Sequence, residues 1–354
     1  MSEPSATERS RHVEAAERAG LRYTPDSMRG IRRERVDDAF VHIGANGHPV
    51  TNERKLRRIR ALAIPPAWTD VWICPRANGH LQVTARDARG RKQYRYHPRY
   101  RAVRDETKFG RMLEFSRVLP ATREQVEAHL RLSGLPRPKV LATVVWLLEK
   151  TLIRVGNTEY AKENETFGLT TMQDRHAEVH GSTVAFSFRG KSGKEHRVSI
   201  TDRRLARIVQ RCQTLPGEKL FQYVDELGNR QDIDSGDING YLRAIAGEDV
   251  TAKDFRTWAG TMLAGRALRE IGPARLVRDK RSNIVRAIDR VAKRLGNTRA
   301  VCRKYYIHPV ILEAYSRGKV IPPAEPRERD RRKPERRLRQ DEIAVLRFIE
   351  ENQR

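Results

Sequence analysis

Residues 140 to 155 read VLATVVWLLEKTLIRV, and this stretch decides the fold class. Its apolar side chains cover nearly every side of a helical wheel rather than one stripe, which is the pattern of a helix buried on all faces. The densest part, VLATVVWLL, is about half the length of a membrane span, so the burial has to be inside protein. Gly156 and Asn157 are expected to end the helix. Downstream the periodicity stays helical, with one apolar stripe per segment: Leu205, Ile208, Val209 and Cys212; Phe255, Trp258, Ala259 and Met262; Ile284, Ile288, Val291 and Leu295. One β-hairpin interrupts this half, where VAFSF and HRVSI alternate around the tip RGKSGKE with Lys191 and Lys194.

Upstream, from Arg22 to about Pro98, the pattern is strand-like. AFVHI and DVWIC each precede an Asn-Gly pair, Asn46-Gly47 and Asn78-Gly79, the dipeptide that suits tight hairpin turns. A single helical insert after Thr51 puts Leu56, Ile59 and Leu62 on one face and stops before Pro65-Pro66. The expected class is α+β: a small N-terminal β-rich domain, then a larger mostly α-helical domain containing a β-hairpin. The expected divisions are a disordered segment at 1–20, the β-rich domain at 21–105, the helical domain at 106–320 and a charged linker and tail at 321–354. In the tail, DEIAVLRFIEENQR has the makings of a short helix.

The 354 residues carry 71 Lys and Arg against 45 Asp and Glu, a net charge of +26. Residues 1–20 have net −1 and residues 323–354 net +2, so the excess lies in the folded middle, where basic walls rather than a basic tether can form. A polyanion is the natural partner, nucleic acid ahead of an anionic membrane. Cys74, Cys212 and Cys302 offer neither a disulfide framework nor a CxxC pair, and no apolar leader opens the chain. A soluble, cytoplasmic protein is expected. HExxH, GxSxG and paired carboxylates at helical spacing do not occur, so no metal is expected. Gly190-Lys191-Ser192 ends like a phosphate-binding loop, but Ala185 stands where that loop needs a glycine, and no nucleotide cofactor is expected.

Six motifs occur in order: IPPAW at 64–68, RKQYRYHP at 91–98, LIRVGNTEYAKENETFGLTT at 152–171, FRGKSGKEH at 188–196, KDFRTWAGT at 253–261 and LGNTRAVCRKYYIHP at 295–309. Any one alone is weak. Together, across residues 21 to 320, they resemble the type IB DNA topoisomerases of the compact bacterial and poxviral kind. That family breaks and rejoins one strand of duplex DNA through a tyrosyl phosphate, with no cofactor. The resemblance makes Tyr306 the nucleophile, Arg154 and Arg256 the phosphate clamps, Lys191 the general acid and Asn297 the fifth member, where the poxviral pattern has histidine. It places Gln93, Tyr94 and Tyr96 against the major groove and Tyr160 and Lys253 on phosphates. It further implies a monomer that closes around DNA as a clamp, associated with the nucleoid, relaxing supercoils without ATP or metal.

The residue types suit that chemistry independently. A tyrosine phenol is only ~0.1% ionised at neutral pH, so cations that favour phenolate ease attack on phosphorus. Arginine forks hold non-bridging oxygens while staying charged, and a lysine among other cations can release a proton that an arginine keeps. Tyr305 is the rival to Tyr306, since neighbours on a helix point about 100° apart; the alignment at Tyr-Ile-His-Pro favours Tyr306. His97 and His308 are read as structural or phosphate-contacting. Two other classes share part of the pattern. A tyrosine recombinase uses similar chemistry but lacks the front-domain motifs, and a non-catalytic DNA-binding protein explains the charge but not the ordered set. Affinity for DNA is expected to fall steeply with salt, with modest base preference.

Overall fold

The computed structural model describes residues 6–353 except 38, 89, 91, 248, 249 and 324–337, and leaves out the side chains of 6–8, 11, 105–108, 159, 160, 162 and 192. Its contacts divide the chain into two compact units, residues 1–110 and 111–354. No described helix is long and apolar enough to cross a membrane.

The first unit contains helix α1 (Ala6–Arg18), strands β1 (Ile31–Val36) and β2 (Ala39–Ile43), helix α2 (Glu53–Ala61), and strands β3 (Thr69–Ile73), β4 (Leu81–Arg86) and β5 (Lys92–Tyr96). The division between units falls inside the long helix α3 (Pro98–Leu130). The strands form one antiparallel sheet ordered β2-β1-β3-β4-β5. Asn78-Gly79 lies in the β3–β4 connection, and Gly47 takes φ 85° in a turn that pairs Ile43 with Pro49. Asn52 caps α2 by accepting from the Lys55 N–H, and Ile59 and Leu62 pack with Ile31, Val71, Ile73 and Val83. Of the segment 1–20, expected to be disordered, residues 1–5 lie outside the described residues and Ala6–Arg18 form α1 instead. Its apolar face is alanine, and Ala16 and Ala19 are buried with Leu21 against Tyr100, a partner too distant in sequence to read locally.

The second unit is built around helix α4 (Arg137–Thr151), whose Val140, Leu141, Val144, Val145, Leu147 and Leu148 are all at most 2% exposed, as the all-round apolar pattern requires. The helix stops short of the expected end at Gly156. Leu152 adopts a left-handed conformation at φ 61°, and the Thr151 hydroxyl donates to the Leu147 carbonyl while accepting the Ile153 N–H. After the short helix α5 (Thr158–Asn164) come β6 (Ala177–His180), β7 (Thr183–Gly190) and β8 (Lys194–Thr201), one antiparallel sheet that extends the expected hairpin by a strand. Helix α6 (Arg203–Gln213) leads to β9 (Gln222–Val224) and β10 (Arg230–Asp232), a second hairpin whose three-residue strands are too short to show alternation. Then follow α7 (Ser235–Ala246), α8 (Ala252–Ile271), α9 (Val277–Leu295), α10 (Arg299–Tyr305), α11 (Pro309–Ser316) and α12 (Gln340–Asn352). The stripes expected on α6 and α9 are buried in full, and on α8 Phe255, Trp258 and Met262 are buried with Ala259 partly so.

The tail helix α12 is part of this core rather than an appendage. Val345, Phe348 and Ile349 are buried, and Gly265 on α8 lets Val345 approach, since a Cβ there would meet the Val345 side chain at 2.9 Å. The rest of the expected linker, residues 324–337, lies outside the described residues. Glu342, 3% exposed, accepts from buried Arg123 at 2.7 Å and from the Trp258 indole at 3.1 Å, and Arg123 also pairs with Glu149 at 2.8 Å. Burial alone lowers the Arg123 pKa, but the bonds and charges of Glu342 and Glu149 outweigh it and raise the net value. Removing one partner of such a group strands the other charge, at a cost of about 3–5 kcal/mol. Glu342→Ala is therefore expected to lower the calorimetric midpoint of this unit by roughly 6–12 °C; a change under about 2 °C would show that α12 adds little to the core.

Candidate active site

Four of the five expected catalytic residues come together in the second unit: Arg154 touches Asn297, Arg256 touches Tyr306, and the two arginines are close enough to influence each other's charge. Arg256 lies on the buried face of α8, one residue from Phe255 and two from Trp258, and is 4% exposed. Its Nη1 donates to the Leu152 carbonyl and its Nη2 to the Leu295 carbonyl at 2.8 Å. Both acceptors sit at helix C-termini, where left-handed caps at Leu152 and Gly296 (φ 62°) turn the chain away and leave carbonyls uncommitted. Helix C-termini carry partial negative charge, so two of them facing one guanidinium hold it charged without a carboxylate. Burial and the neighbouring Arg154 nonetheless lower its pKa, with Tyr306 and Cys302 opposing the shift. Its Nε is buried without a partner.

Arg154 follows the α4 cap in the segment that Gly168 holds. The Leu169 N–H donates to the Arg154 carbonyl at 2.9 Å, and a Cβ at Gly168 would lie 2.6 Å from that same oxygen. The Arg154 Nη2 donates to the side-chain oxygen of Asn297, leaving the Asn297 Nδ2 buried and unpartnered. Asn297 follows Gly296 at the end of α9, and its N–H closes the cap on the Ala292 carbonyl at 3.0 Å.

Tyr306 stands just past α10, which Thr298 caps by accepting the Val301 N–H. The Arg256 guanidinium carbon lies 5.3 Å from the Tyr306 ring centroid, a cation–π contact. Tyr305, the last residue of α10, is 39% exposed with Lys304 over its ring, so of the two tyrosines Tyr306 is the one on the arginine. The backbone at Tyr306 is moored to α8. The Thr261 hydroxyl donates to the Tyr306 carbonyl at 3.4 Å and accepts the His308 N–H at 3.1 Å, and a Cβ at Gly260 would collide with that carbonyl. His308 is structural: it is buried, caps α11 by accepting the Val310 N–H at 3.3 Å, and lies 3.0 Å from the Gln353 amide beyond α12.

Lys191 occupies the exposed tip of the β7–β8 hairpin, in a single turn at Lys191–Gly193. The Phe167 N–H donates to the Arg189 carbonyl at 2.7 Å, tying that hairpin to the segment that carries Arg154. His196, absent from the sequence-based set, is half-buried close enough to Arg154 and Arg256 that they, after burial, lower its pKa; Lys194 acts likewise and Glu195 opposes. A cavity of about 400 Å³ opens beside these residues, lined by Lys194, His196, Lys293, Gly296 and Asn297 among others. Among the described residues, no group of three His, Cys, Asp or Glu side chains is placed to hold a metal ion.

The expected DNA-facing residues divide between the units. Gln93, Tyr94 and Tyr96 all lie on β5. Tyr94 and Tyr96 stack at 6.2 Å, and Tyr96 also packs on Tyr100 and His80, where burial pushes its phenol up to about 12. Gln93 donates to Asp87 at 2.8 Å. Lys253 is exposed in the first turn of α8, and the side chain of Tyr160 lies outside the described residues.

A family model described as the catalytic core of eukaryotic DNA topoisomerase I matches residues 97–320, and one described as the N-terminal domain of bacterial DNA topoisomerase IB matches residues 39–87. The chain belongs to the type IB DNA topoisomerase family. As a type IB topoisomerase it is an isomerase whose substrate is DNA. It is 28% identical over 295 residues to DNA topoisomerase 1B of Acanthamoeba polyphaga mimivirus, covering 81% of this chain and 88% of that one. It is 24% identical over 281 residues to DNA topoisomerase 1B of vaccinia virus strain Copenhagen, covering 75% and 84%. A 172-residue stretch is 28% identical to DNA topoisomerase 1 of Mycosarcoma maydis, covering 44% of this topoisomerase and 17% of the fungal protein.

Sequence reasoning passed over Gly260 and Thr261 although both fall inside a quoted motif, because what they touch is backbone. A misplacement of about 1 Å can cost a reaction about 10²-fold. Gly260→Ala, whose methyl would push Tyr306 away from α8, is expected to slow plasmid relaxation by roughly that factor while DNA affinity stays within about two-fold. Wild-type relaxation by Gly260→Ala would refute the mooring.

Proposed function

We propose that this topoisomerase relaxes supercoiled duplex DNA of either sign by cutting one strand, letting the duplex rotate and resealing it, through a 3′-phosphate link to Tyr306. One observation carries this reading: the Tyr306 phenol rests on a buried guanidinium that is bound by carbonyls and keeps an unpartnered Nε, beside an unpartnered Asn297 Nδ2. Buried donors without acceptors are costly and rare, and the non-bridging oxygens of a phosphodiester supply acceptors with the matching charge.

In the forward step the phenol oxygen forms a bond to phosphorus, the phosphorus–O5′ bond breaks, and the phenol proton leaves to solvent. Arg256, in contact with both phenol and phosphate, stabilises the charge that grows on phosphorus-bound oxygen, and Arg154 with Asn297 does so from the other side. Lys191, reaching in from the hairpin tip, gives a proton to the departing 5′-oxygen. One phosphodiester replaces another, so the bond energy is retained and the 5′-hydroxyl reseals by attacking back without ATP. Torsion stored in the DNA drives the rotation. Arginines take the part that a divalent cation plays in other phosphoryl transfers, so the reaction needs no metal. In the β-rich unit Gln93 and Tyr94 meet the major groove, while Lys253 and Tyr160 hold phosphates; Tyr96 serves mainly the aromatic cluster.

Purified protein is expected to relax supercoiled plasmid in EDTA without nucleotide. Tyr306→Phe is expected to bind DNA and relax none, and Tyr305→Phe to work as wild type. Inactivity of the wild type in EDTA, or relaxation by Tyr306→Phe, would contradict the proposal.

A further inference from the structure

Two glycines in the site face the same ring. A Cβ at Gly190 would lie 2.5 Å from His196 Cδ2 and 2.7 Å from its Nε2, and a Cβ at Gly296 would lie 2.6 Å from Cε1 and 3.3 Å from Nε2. Cδ2, Nε2 and Cε1 form one continuous edge of the imidazole, so that edge is seated between two stretches of backbone. The opposite constraint comes from Phe188, whose ring stacks on the imidazole at 5.2 Å and 8°.

Each stretch leads into a residue of the reacting set, Gly190 directly into Lys191 and Gly296 directly into Asn297. Gly296 needs to be glycine in any case, for its left-handed φ of 62°. Gly190 does not: its φ of −95° and ψ of −174° are extended backbone open to any residue. What excludes a side chain at 190 is the imidazole. Burial costs His196 its hydration, Arg154, Arg256 and Lys194 further disfavour its charged form, and Glu195 opposes them, so an apolar ring would cost less here. A small flat neutral ring fits between the backbones, and its placement sets the spacing of the two segments.

We propose that His196 is a positioning residue that fixes the hairpin tip carrying Lys191 against the turn carrying Asn297. This rests on the reading of Lys191 and Asn297 as members of the reacting set. The imidazole acts by holding the base of the tip at one distance from the end of α9, so that the proton donor and the phosphate-binding amide share one geometry.

The test is a double-mutant cycle between Gly190 and His196 with two readouts, plasmid relaxation and amide hydrogen exchange at residues 189–195. Gly190→Ala and His196→Ala are each expected to slow relaxation at least about ten-fold with DNA affinity within about two-fold, and His196→Ala to speed exchange at the tip. The double variant should be no slower than His196→Ala alone, because the added methyl enters space the ring has left. Multiplying single losses, or wild-type rates and exchange in both single variants, would overturn the proposal. Faster exchange and coupling in a protein whose wild type relaxes no plasmid would support the placement and sink the function proposed for the site.

Discussion

The Arg256 guanidinium is buried between the ends of α4 and α9, and its charge is met there by the carbonyls of Leu152 and Leu295. The same unit contains a second buried arginine, Arg123, and the contrast between them is informative. Arg123 is neutralised by Glu149 and Glu342, which use up its hydrogen bonds and raise its pKa. Arg256 has carbonyl dipoles, a phenol and another arginine as neighbours, and its pKa is lowered. A paired arginine is finished and serves the fold. An arginine held by dipoles retains net positive charge and an unused donor, and attracts an anion.

Much of the architecture serves to hold that unpaired charge in place. Both helices end in left-handed caps that release the two carbonyls, and Gly168 lets the strand-like segment after α4 close over Arg154. Gly260 and Thr261 fasten the Tyr306 backbone to the same helix that carries Arg256, which ties the phenol and the guanidinium to one element. Glu342 of α12 reaches Trp258, two residues past Arg256, and Gln353, just beyond the end of α12, meets His308, two residues past Tyr306. A tail that looks dispensable by composition thus braces both sides of the site.

How far this was legible varies with the kind of interaction. The apolar surface of α4 and the stripes on α6, α8 and α9 were readable because burial repeats with helical period. The early end of α4 was not, since Leu152 turns left-handed in a tertiary setting where Arg256 takes its carbonyl. Helix α1 was missed because alanine carries a weak hydrophobic signal and its partner Tyr100 is remote. In the site, Arg154, Arg256, Asn297 and Tyr306 stood out only as an ordered set; singly, the arginines vanish among 71 basic residues and Tyr306 among 10 tyrosines. His196 had no such help. Two of its neighbours are glycines, which leave no side chain to read, and only the geometry brings 296 to the hairpin that holds 190 and 196.

The proposed chemistry turns on one particular phenol, the one lying on Arg256, becoming bonded to DNA. The direct measurement is to quench a relaxing reaction with detergent, digest the DNA and the protein, and locate the nucleotide-bearing peptide by mass spectrometry. The predicted result is a nucleotide joined through its 3′-phosphate to Tyr306. A nucleotide on Tyr305 or any other residue, or none while relaxation proceeds, would contradict it.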